Sequence, residues 1–202
     1  HAKWLVLGTI PLSSKESKES FLWCLKTAIK DGINIAVDVN WRPTFWDIAN
    51  TPNQGPDKYI VNQIISILDK VSLLKLAREE ALWFFNTDDP KSISSSLSCQ
   101  PNVVVTDGPM PLRWFINGFD GKMDPMPPRV INDSTGAGDA FMGGLLHYLV
   151  QNNIQDIDEK KVFQIIRFAS ACGSLTCEGD GAIEPQPSVK EVDDYLAHLE
   201  GL

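Results

Sequence analysis

Asp133-Ser-Thr-Gly-Ala-Gly-Asp-Ala-Phe141 is the stretch of this sequence that combines a special backbone with a reactive side chain. A short run from Arg129 to Asn132, predicted to be extended, leads into it, and an apolar helical pattern without proline runs from Asp139 to Val150. This order predicts a loop that feeds the start of a helix. The first N–H groups of a helix have no internal partner and lie at the positive end of its dipole, so glycines there let an anion approach closely.

Two interpretations of this loop are open from its residues alone. In the first, its amides bind a phosphate and Asp139 takes the proton of an attacking hydroxyl, which is phosphoryl transfer. In the second, Asp133, Ser134 or Thr135 simply caps the helix, and Asp139 suits the helix dipole. The loop matches neither common nucleotide fingerprint, because no Gly-Lys-Ser/Thr follows it and the Gly-x-Gly-x-x-Gly order is absent.

The same residues resemble the C-terminal signature of the PfkB, or ribokinase-like, sugar kinases, which usually reads Asp-Thr-x-Gly-Ala-Gly-Asp-x-Phe. The surrounding chain is most similar to the fructokinase type. The resemblance implies transfer of the ATP γ-phosphate to a sugar hydroxyl in the presence of Mg²⁺, with Asp139 as the base. It further implies an anion hole made by the amides of Gly136, Ala137 and Gly138, with Thr135 beside the nucleotide. Asp133 could share a monovalent cation such as K⁺.

Composition excludes some classes of function. With 202 residues, 43% of them hydrophobic, the chain can form one good core. A net charge of −8 argues against a nucleic-acid surface. No apolar run approaches the roughly 20 residues that span a bilayer, and no signal-peptide layout is present. We therefore expect a protein without nucleic-acid or membrane partners, in the cytoplasm or an organelle interior. The four cysteines show no Cys-x-x-Cys spacing and are expected to be free thiols.

Alternating strand and helix patterns predict the fold class. Apolar runs that end at Ile10, Val39, Ala77 and Val105 are typical of buried parallel strands, and amphipathic segments separate them. The expected architecture is α/β: a three-layer, doubly wound, mostly parallel sheet of ribokinase-like type. We treat residues 1–202 as a single partial PfkB-type kinase domain. Because the chain starts at His1 in an apolar run, we expect the N-terminal part and the lid of such a kinase, through which a homodimer could form, to be missing.

Further candidate residues follow the predicted strands, where open α/β sheets bind ligands. Asn40 and Arg42 are similar to a family segment that lines the active cleft; the alternative is that Arg42 pairs with Asp38 or Asp47. The resemblance also implies that Glu80 organises magnesium through water, although it could be only a helix-start carboxylate. It further implies nucleotide contacts at the positions Thr106, Gly108, Ala171 and Gly181. For Ala171, close helix packing is the alternative.

The expected function is that of an ATP-dependent sugar kinase acting on fructose. Two departures from the family pattern keep other functions open: Ala77 stands where Asn or Ser is common, and Pro111 replaces a second glycine. A catalytically silent nucleotide-binding or interaction domain is one alternative. A kinase of a nucleoside or another non-sugar substrate is the other.

Overall fold

The computed structural model describes residues 2–51 and 53–201 and confirms the α/β class. Its strands are β1 Trp4–Gly8, β2 Asn34–Asp38, β3 Leu73–Ala77, β4 Asn102–Asp107, β5 Met110–Ile116 and β6 Phe119–Met123. The α-helices of the described residues are α1 Lys15–Lys30, α2 Pro43–Trp46, α3 Lys58–Leu68, α4 Arg78–Phe85, α5 Pro90–Ser96, α6 Ala137–Gln151, α7 Glu159–Thr176 and α8 Val189–Glu200.

The chain divides into two compact units. The first contains the chain up to Asp107 together with Leu112–Lys122, and the second contains Gly108–Pro111 and the chain from Met123 onward. The first unit therefore holds the crossover helices α1 to α5, while α6, α7 and α8 belong to the second. The sequence analysis predicted that residues 1–202 form a single partial kinase domain, and this stays a prediction.

The sheet follows the chain in strand order, from β1 to β6. Strands β1 to β4 are parallel, with Val37 opposite Leu74 and Leu74 opposite Val103. Because successive side chains point to opposite faces, these three residues share one face. They belong to the core cluster that also includes Phe21 of α1 and Ile64 of α3. The predicted βαβ pattern is thus confirmed, with a core on the face that the crossover helices cover.

Two tight turns complete the sheet. Gly108-Pro109 joins β4 to β5 and Asn117-Gly118 joins β5 to β6, with φ of 55° at Gly108 and 83° at Gly118. Such two-residue loops connect antiparallel neighbours. The pairing of β5 and β6 extends the sheet beyond β4 to one of its edges. Strand β6 forms that edge, because Phe119–Met123 alternates and pairs although it has few apolar residues.

Close packing of α6 and α7 organises the second unit. A side chain at Gly144 would place its Cβ 2.7 Å from Cys172 Sγ and 3.0 Å from Ala169 Cα. The absence of a side chain therefore lets the two helices approach. Helix α8 adds Val192 and Tyr195 to the same buried cluster. Two local predictions needed correction here: residues 129–132 form bends rather than a strand, and α6 begins at Ala137 rather than Asp139.

Candidate active site

The N-terminus of α6 is open. Gly136 is the N-cap residue, has a left-handed backbone with φ of 81°, and provides no side chain to cap the helix. Ala137 N–H donates to the Ser134 carbonyl over 3.2 Å, while Ala140 N–H makes the first intrahelical bond, to Gly136. Gly138 and Asp139 are exposed in the first turn. The side-chain capping predicted as the alternative for Asp133, Ser134 or Thr135 does not occur.

Asp133 instead connects two loops. Its Oδ1 accepts hydrogen bonds from the Thr135 amide and hydroxyl, at 2.9 and 2.7 Å. Its Oδ2 accepts from the Gly181 amide at 3.0 Å. The hydrogen bonds from Thr135 and then Gly181 hold the pKa of the Asp133 carboxyl below its usual value. Asp133 thus ties the signature loop, residues 133–138, to the glycine loop, residues 178–183.

These two loops also touch at Gly136. A Cβ at this position would lie 2.8 Å from Ala182 Cα and 2.9 Å from Ala182 Cβ. The left-handed backbone and this approach both require glycine. At Gly181, φ is 79°, so the glycine loop has its own left-handed turn. The shape of the helix N-terminus therefore depends on the position of the glycine loop.

In the second unit, the residues predicted to contact a nucleotide differ in their exposure to solvent. Thr135 is exposed beside the helix start, and Gly108 is exposed in the turn before β5. Ala171 is fully buried among α6, α7 and α8, which agrees with the close-packing alternative.

In the first unit, Glu80 organises the loop after β2. Its Oε1 accepts from the Trp41 amide at 2.6 Å, and its Oε2 accepts from the Ala77 amide at 2.8 Å. The side chain is buried, with 5% of the residue exposed. Burial raises the pKa of Glu80, against the two amide bonds that lower it. Glu80 therefore joins the start of α4 to the loop that carries Asn40 and Arg42.

Asn40 has a left-handed backbone, with φ of 46°, and is half-buried, whereas Arg42 is exposed. Arg42 Nη1 donates to the Trp41 carbonyl at 2.9 Å. Within residues 2–51 and 53–201, no ion pair joins Arg42 to Asp38 or Asp47. Asp38 instead pairs with the buried Lys75 at 2.6 Å. The guanidinium of Arg42 is thus directed by a backbone carbonyl.

Thr106 stands near the carboxyl end of β4, half-buried, with its hydroxyl 3.5 Å from the Leu76 carbonyl. The carboxyl ends of β2, β3 and β4 thus present Asn40, Ala77 and Thr106 at one end of the parallel sheet. This is the end at which α/β sheets bind ligands.

Two other kinds of feature are absent from residues 2–51 and 53–201. No group of three or more His, Cys, Asp or Glu side chains there is arranged to hold a metal ion. No helix in that part of the chain is both long and apolar enough to cross a bilayer. The four cysteines are free thiols, as predicted.

Sequence reasoning missed Arg129 and Glu178. Arg129 lies shortly before the signature loop, and Glu178 is the first residue of the glycine loop. Their side chains form a bidentate pair, with Arg129 Nη2 2.5 Å from Glu178 Oε2. Opposite charges 49 positions apart carry no pairing signal in a single sequence. Only the folded chain brings them together.

The largely parallel α/β sheet and the helix that starts at left-handed Gly136, with an acidic residue in its first turn, are the features on which this chain can be compared with known proteins. The profile of the pfkB family carbohydrate kinases matches residues 1–189, and the chain belongs to this family. The family expected from the signature residues is thereby confirmed.

Individual comparisons agree. Probable fructokinase-7 of Arabidopsis thaliana is 30% identical over 201 residues, which are 97% of this chain and 56% of that protein. The fructokinase of Xylella fastidiosa, solved with bound ATP, is 24% identical with a TM-score of 0.81 and covers 98% of this chain and 62% of that one. A fructokinase double mutant of Vibrio cholerae, solved with fructose, ADP and potassium, is 23% identical with a TM-score of 0.75, over 96% and 60% of the two chains. The structural likenesses show the fold, and this chain spans little more than half the length of its curated relatives.

Proposed function

We propose that the protein is an ATP-dependent sugar kinase that transfers the γ-phosphate to a sugar hydroxyl, with fructose as the first candidate substrate. The observation that carries the proposal is the open N-terminus of α6, where Gly136 is left-handed and Asp139 is exposed in the first turn. The relatives support it, since they are named fructokinases and solved with ATP, or with fructose and ADP.

Each residue of the signature loop has its own task in this reaction. The amides of Gly136, Ala137 and Gly138 face the transferred phosphoryl group and stabilise its negative charge. To do so, Ala137 N–H must exchange its 3.2 Å bond to the Ser134 carbonyl for a phosphate oxygen. Asp139 accepts the proton of the sugar hydroxyl as the hydroxyl oxygen attacks phosphorus.

The remaining candidates are proposed to bind substrates. Exposed Arg42 and half-buried Asn40 suit contacts with sugar hydroxyls or phosphate. For the nucleotide, the proposed contacts are Thr106, Gly108, Thr135 and Gly181. Since Ala171 is fully buried, its part is to shape the helix packing behind the site.

Metal ions belong to the proposal as well. Mg²⁺ usually keeps several waters and binds through substrate phosphates and one or two carboxylates. Glu80 is buried with both oxygens bonded to amides, so we assign it a contact through water only. Asp133 is proposed to share a K⁺ ion. When bound, Mg²⁺ would neutralise charge on the polyphosphate.

The first experiment is a calorimetric titration of the chain with MgATP, followed by a coupled ADP-release assay with fructose. Binding with turnover would support the proposal in full. Saturable binding without turnover would favour a nucleotide-binding domain that needs further segments for the sugar. A folded chain that does not bind MgATP would contradict the proposal and favour a silent interaction domain.

Asp139→Asn tests the assigned base in any form of the protein that shows turnover. The substitution keeps the shape and removes the proton acceptor, so kcat is expected to fall by roughly 10²–10⁴. MgATP affinity, measured by calorimetry, is expected to change little, because the loop amides remain. Unchanged turnover would show that Asp139 is not the base.

A further inference from the structure

Segment 126–133, which delivers the chain to the signature loop, is bonded along its length to α7, α8 and the glycine loop. The Met126 amide donates to Ser170 Oγ at 2.8 Å, and its carbonyl accepts from the Ser174 hydroxyl. The Tyr195 hydroxyl donates to the Pro127 carbonyl. This end of the segment is thus held by neutral hydrogen bonds to two helices.

The other end is held at the C-terminus of α7. The amides of Asn132 and Asp133 both donate to the Cys177 carbonyl, at 2.9 and 3.3 Å. Asn132 Nδ2 donates to the Glu178 carbonyl at 2.6 Å. The glycine loop and the signature loop therefore cannot shift independently at these points.

Between the two ends lies the pair of Arg129 and Glu178. Arg129 Nε is 3.0 Å from both carboxylate oxygens, Nη2 is 2.5 Å from Oε2, and the Arg129 amide donates to Oε1 at 2.8 Å. The Glu178 side chain is 15% exposed, while that of Arg129 is 68% exposed. Partial burial acts to raise the pKa of Glu178, but the bonds from Arg129 lower it overall, so the carboxylate stays charged at neutral pH.

We propose that Arg129 and Glu178 are positioning residues that set the geometry of the α6 N-terminus by fixing the glycine loop against the signature loop. Glu178 follows Cys177, which holds Asn132 and Asp133, and precedes Gly181, which holds Asp133. Ala182 packs directly on Gly136. A displacement of Glu178 therefore reaches Gly136, the N-cap residue of α6. The assignment of a phosphate ligand to the amides at the α6 N-terminus rests on the proposed function.

Amide hydrogen exchange tests the positioning role without any ligand. In Arg129→Gln and Glu178→Gln, exchange at the hydrogen-bonded amides of Asn132, Ala140 and Gly181 is expected to be faster than in the unmodified protein, because the loops separate more often. Arg167→Gln is the matched control. It breaks the Arg167–Glu200 ion pair, which joins α7 to α8 in the same unit but makes no contact with either loop. Equal exchange in all variants would overturn the inference.

Nucleotide affinity provides the second measurement, with MgATP and MgADP titrated well below the melting temperature of each variant. Each single Gln variant is expected to raise the Kd for MgATP by roughly three- to tenfold, and the double variant no further, because one interaction is lost. The Kd of Arg129→Lys should lie between those of the unmodified protein and Arg129→Gln, since lysine keeps the charge without the bidentate geometry. Arg167→Gln should bind normally.

The two measurements separate the two proposals. Faster exchange in a protein that binds no MgATP would keep the positioning role and overturn the proposed function. Normal MgATP binding by every variant would overturn the positioning role alone. A loss of affinity in Arg167→Gln equal to that in Arg129→Gln would also overturn it, since the effect would then be general loosening of the unit.

Discussion

Gly136 is a position where two independent constraints meet. Its φ of 81° is unfavourable for any residue with a side chain, and a Cβ would lie within 3.0 Å of three atoms of Ala182. Either constraint alone would favour glycine. Together they link the start of α6 to the placement of the glycine loop.

Gly136→Ala is therefore expected to destabilise the protein by about 1–3 kcal/mol, the usual cost of forcing a non-glycine residue into such a backbone. It should also weaken MgATP binding. Gly143→Ala is the control within the same helix: its Cβ would meet no atom within 4 Å, so stability should be unchanged or higher by up to about 1 kcal/mol. Chemical denaturation measures both. Equal stabilities of the two variants would contradict this account.

The hydrogen bonds to the Asp133 carboxylate predict how the free energy of unfolding depends on pH. Hydrogen bonds from Thr135 and Gly181 lower its pKa from the usual 3.8, so the folded state favours the carboxylate. The stabilisation is present above 3.8 and is lost as the pH falls through the lowered pKa. Asp133→Asn should thus be less stable than the unmodified protein from neutral pH down to about 5.

That difference should shrink under more acidic conditions, where Asp133 itself becomes protonated. Thermal unfolding of both proteins across the acidic range checks the prediction. A difference that stays constant to the lowest pH would mean that the Asp133 charge does not stabilise the loops.

At the scale of elements, the start of α4 depends on one buried carboxylate. Glu80 accepts from two amides, one at the helix N-cap and one in the loop after β2. Trp41, whose amide it holds, is buried and packs on Trp46 and Phe84, with ring centroids 5.5 and 6.2 Å away. The loop with Asn40 and Arg42 is therefore built on α4 as much as on β2.

Glu80→Gln is expected to destabilise the protein by about 1–3 kcal/mol, because the new NH₂ group cannot accept and leaves one buried amide unpaired. Glu79→Gln, in the same helical turn but exposed, should have little effect. Denaturant unfolding gives both values, and fluorescence of the tryptophans should report movement of the loop in Glu80→Gln. A stability equal to that of Glu79→Gln would contradict the assigned role.

At the scale of the whole molecule, the net charge of −8 opposes the binding of a polyanion. Under the proposed function, affinity for ATP therefore comes from local donors and from the metal ion that accompanies the nucleotide. Binding to the folded state alone also raises its stability by mass action.

MgATP at about 100 times its Kd is expected to add about 2.7 kcal/mol to the free energy of unfolding. For a chain of this size, that corresponds to an increase in Tm of about 5–10 °C. Differential scanning calorimetry measures the shift, and ATP with EDTA is the control that should give a smaller one. A folded protein with the same Tm in both solutions would argue against a metal-nucleotide site.

The sequence by itself determined the α/β class, the parallel strands and the signature loop. These features depend on local periodicity and on neighbouring residues, such as the apolar run at Val103–Val105 or the glycines around Ala137. Such local patterns can be identified in a single sequence. The turn signal Asn117-Gly118, which lies between β5 and β6, is visible in the same way. The family was recognised from contiguous residues for the same reason.

Only the tertiary structure decided how the site is held. Asp133 was a candidate helix cap from its position alone, and its carboxylate instead joins Thr135 to Gly181. Glu80 holds Trp41, 39 positions away, and Arg129 holds Glu178, 49 positions away. A charge or a hydrogen-bonding group carries no mark of its partner in the sequence, because the pairing distance is set by how helices and strands pack. The local pattern therefore predicts which residues surround the site, and long-range packing decides what each of them contacts.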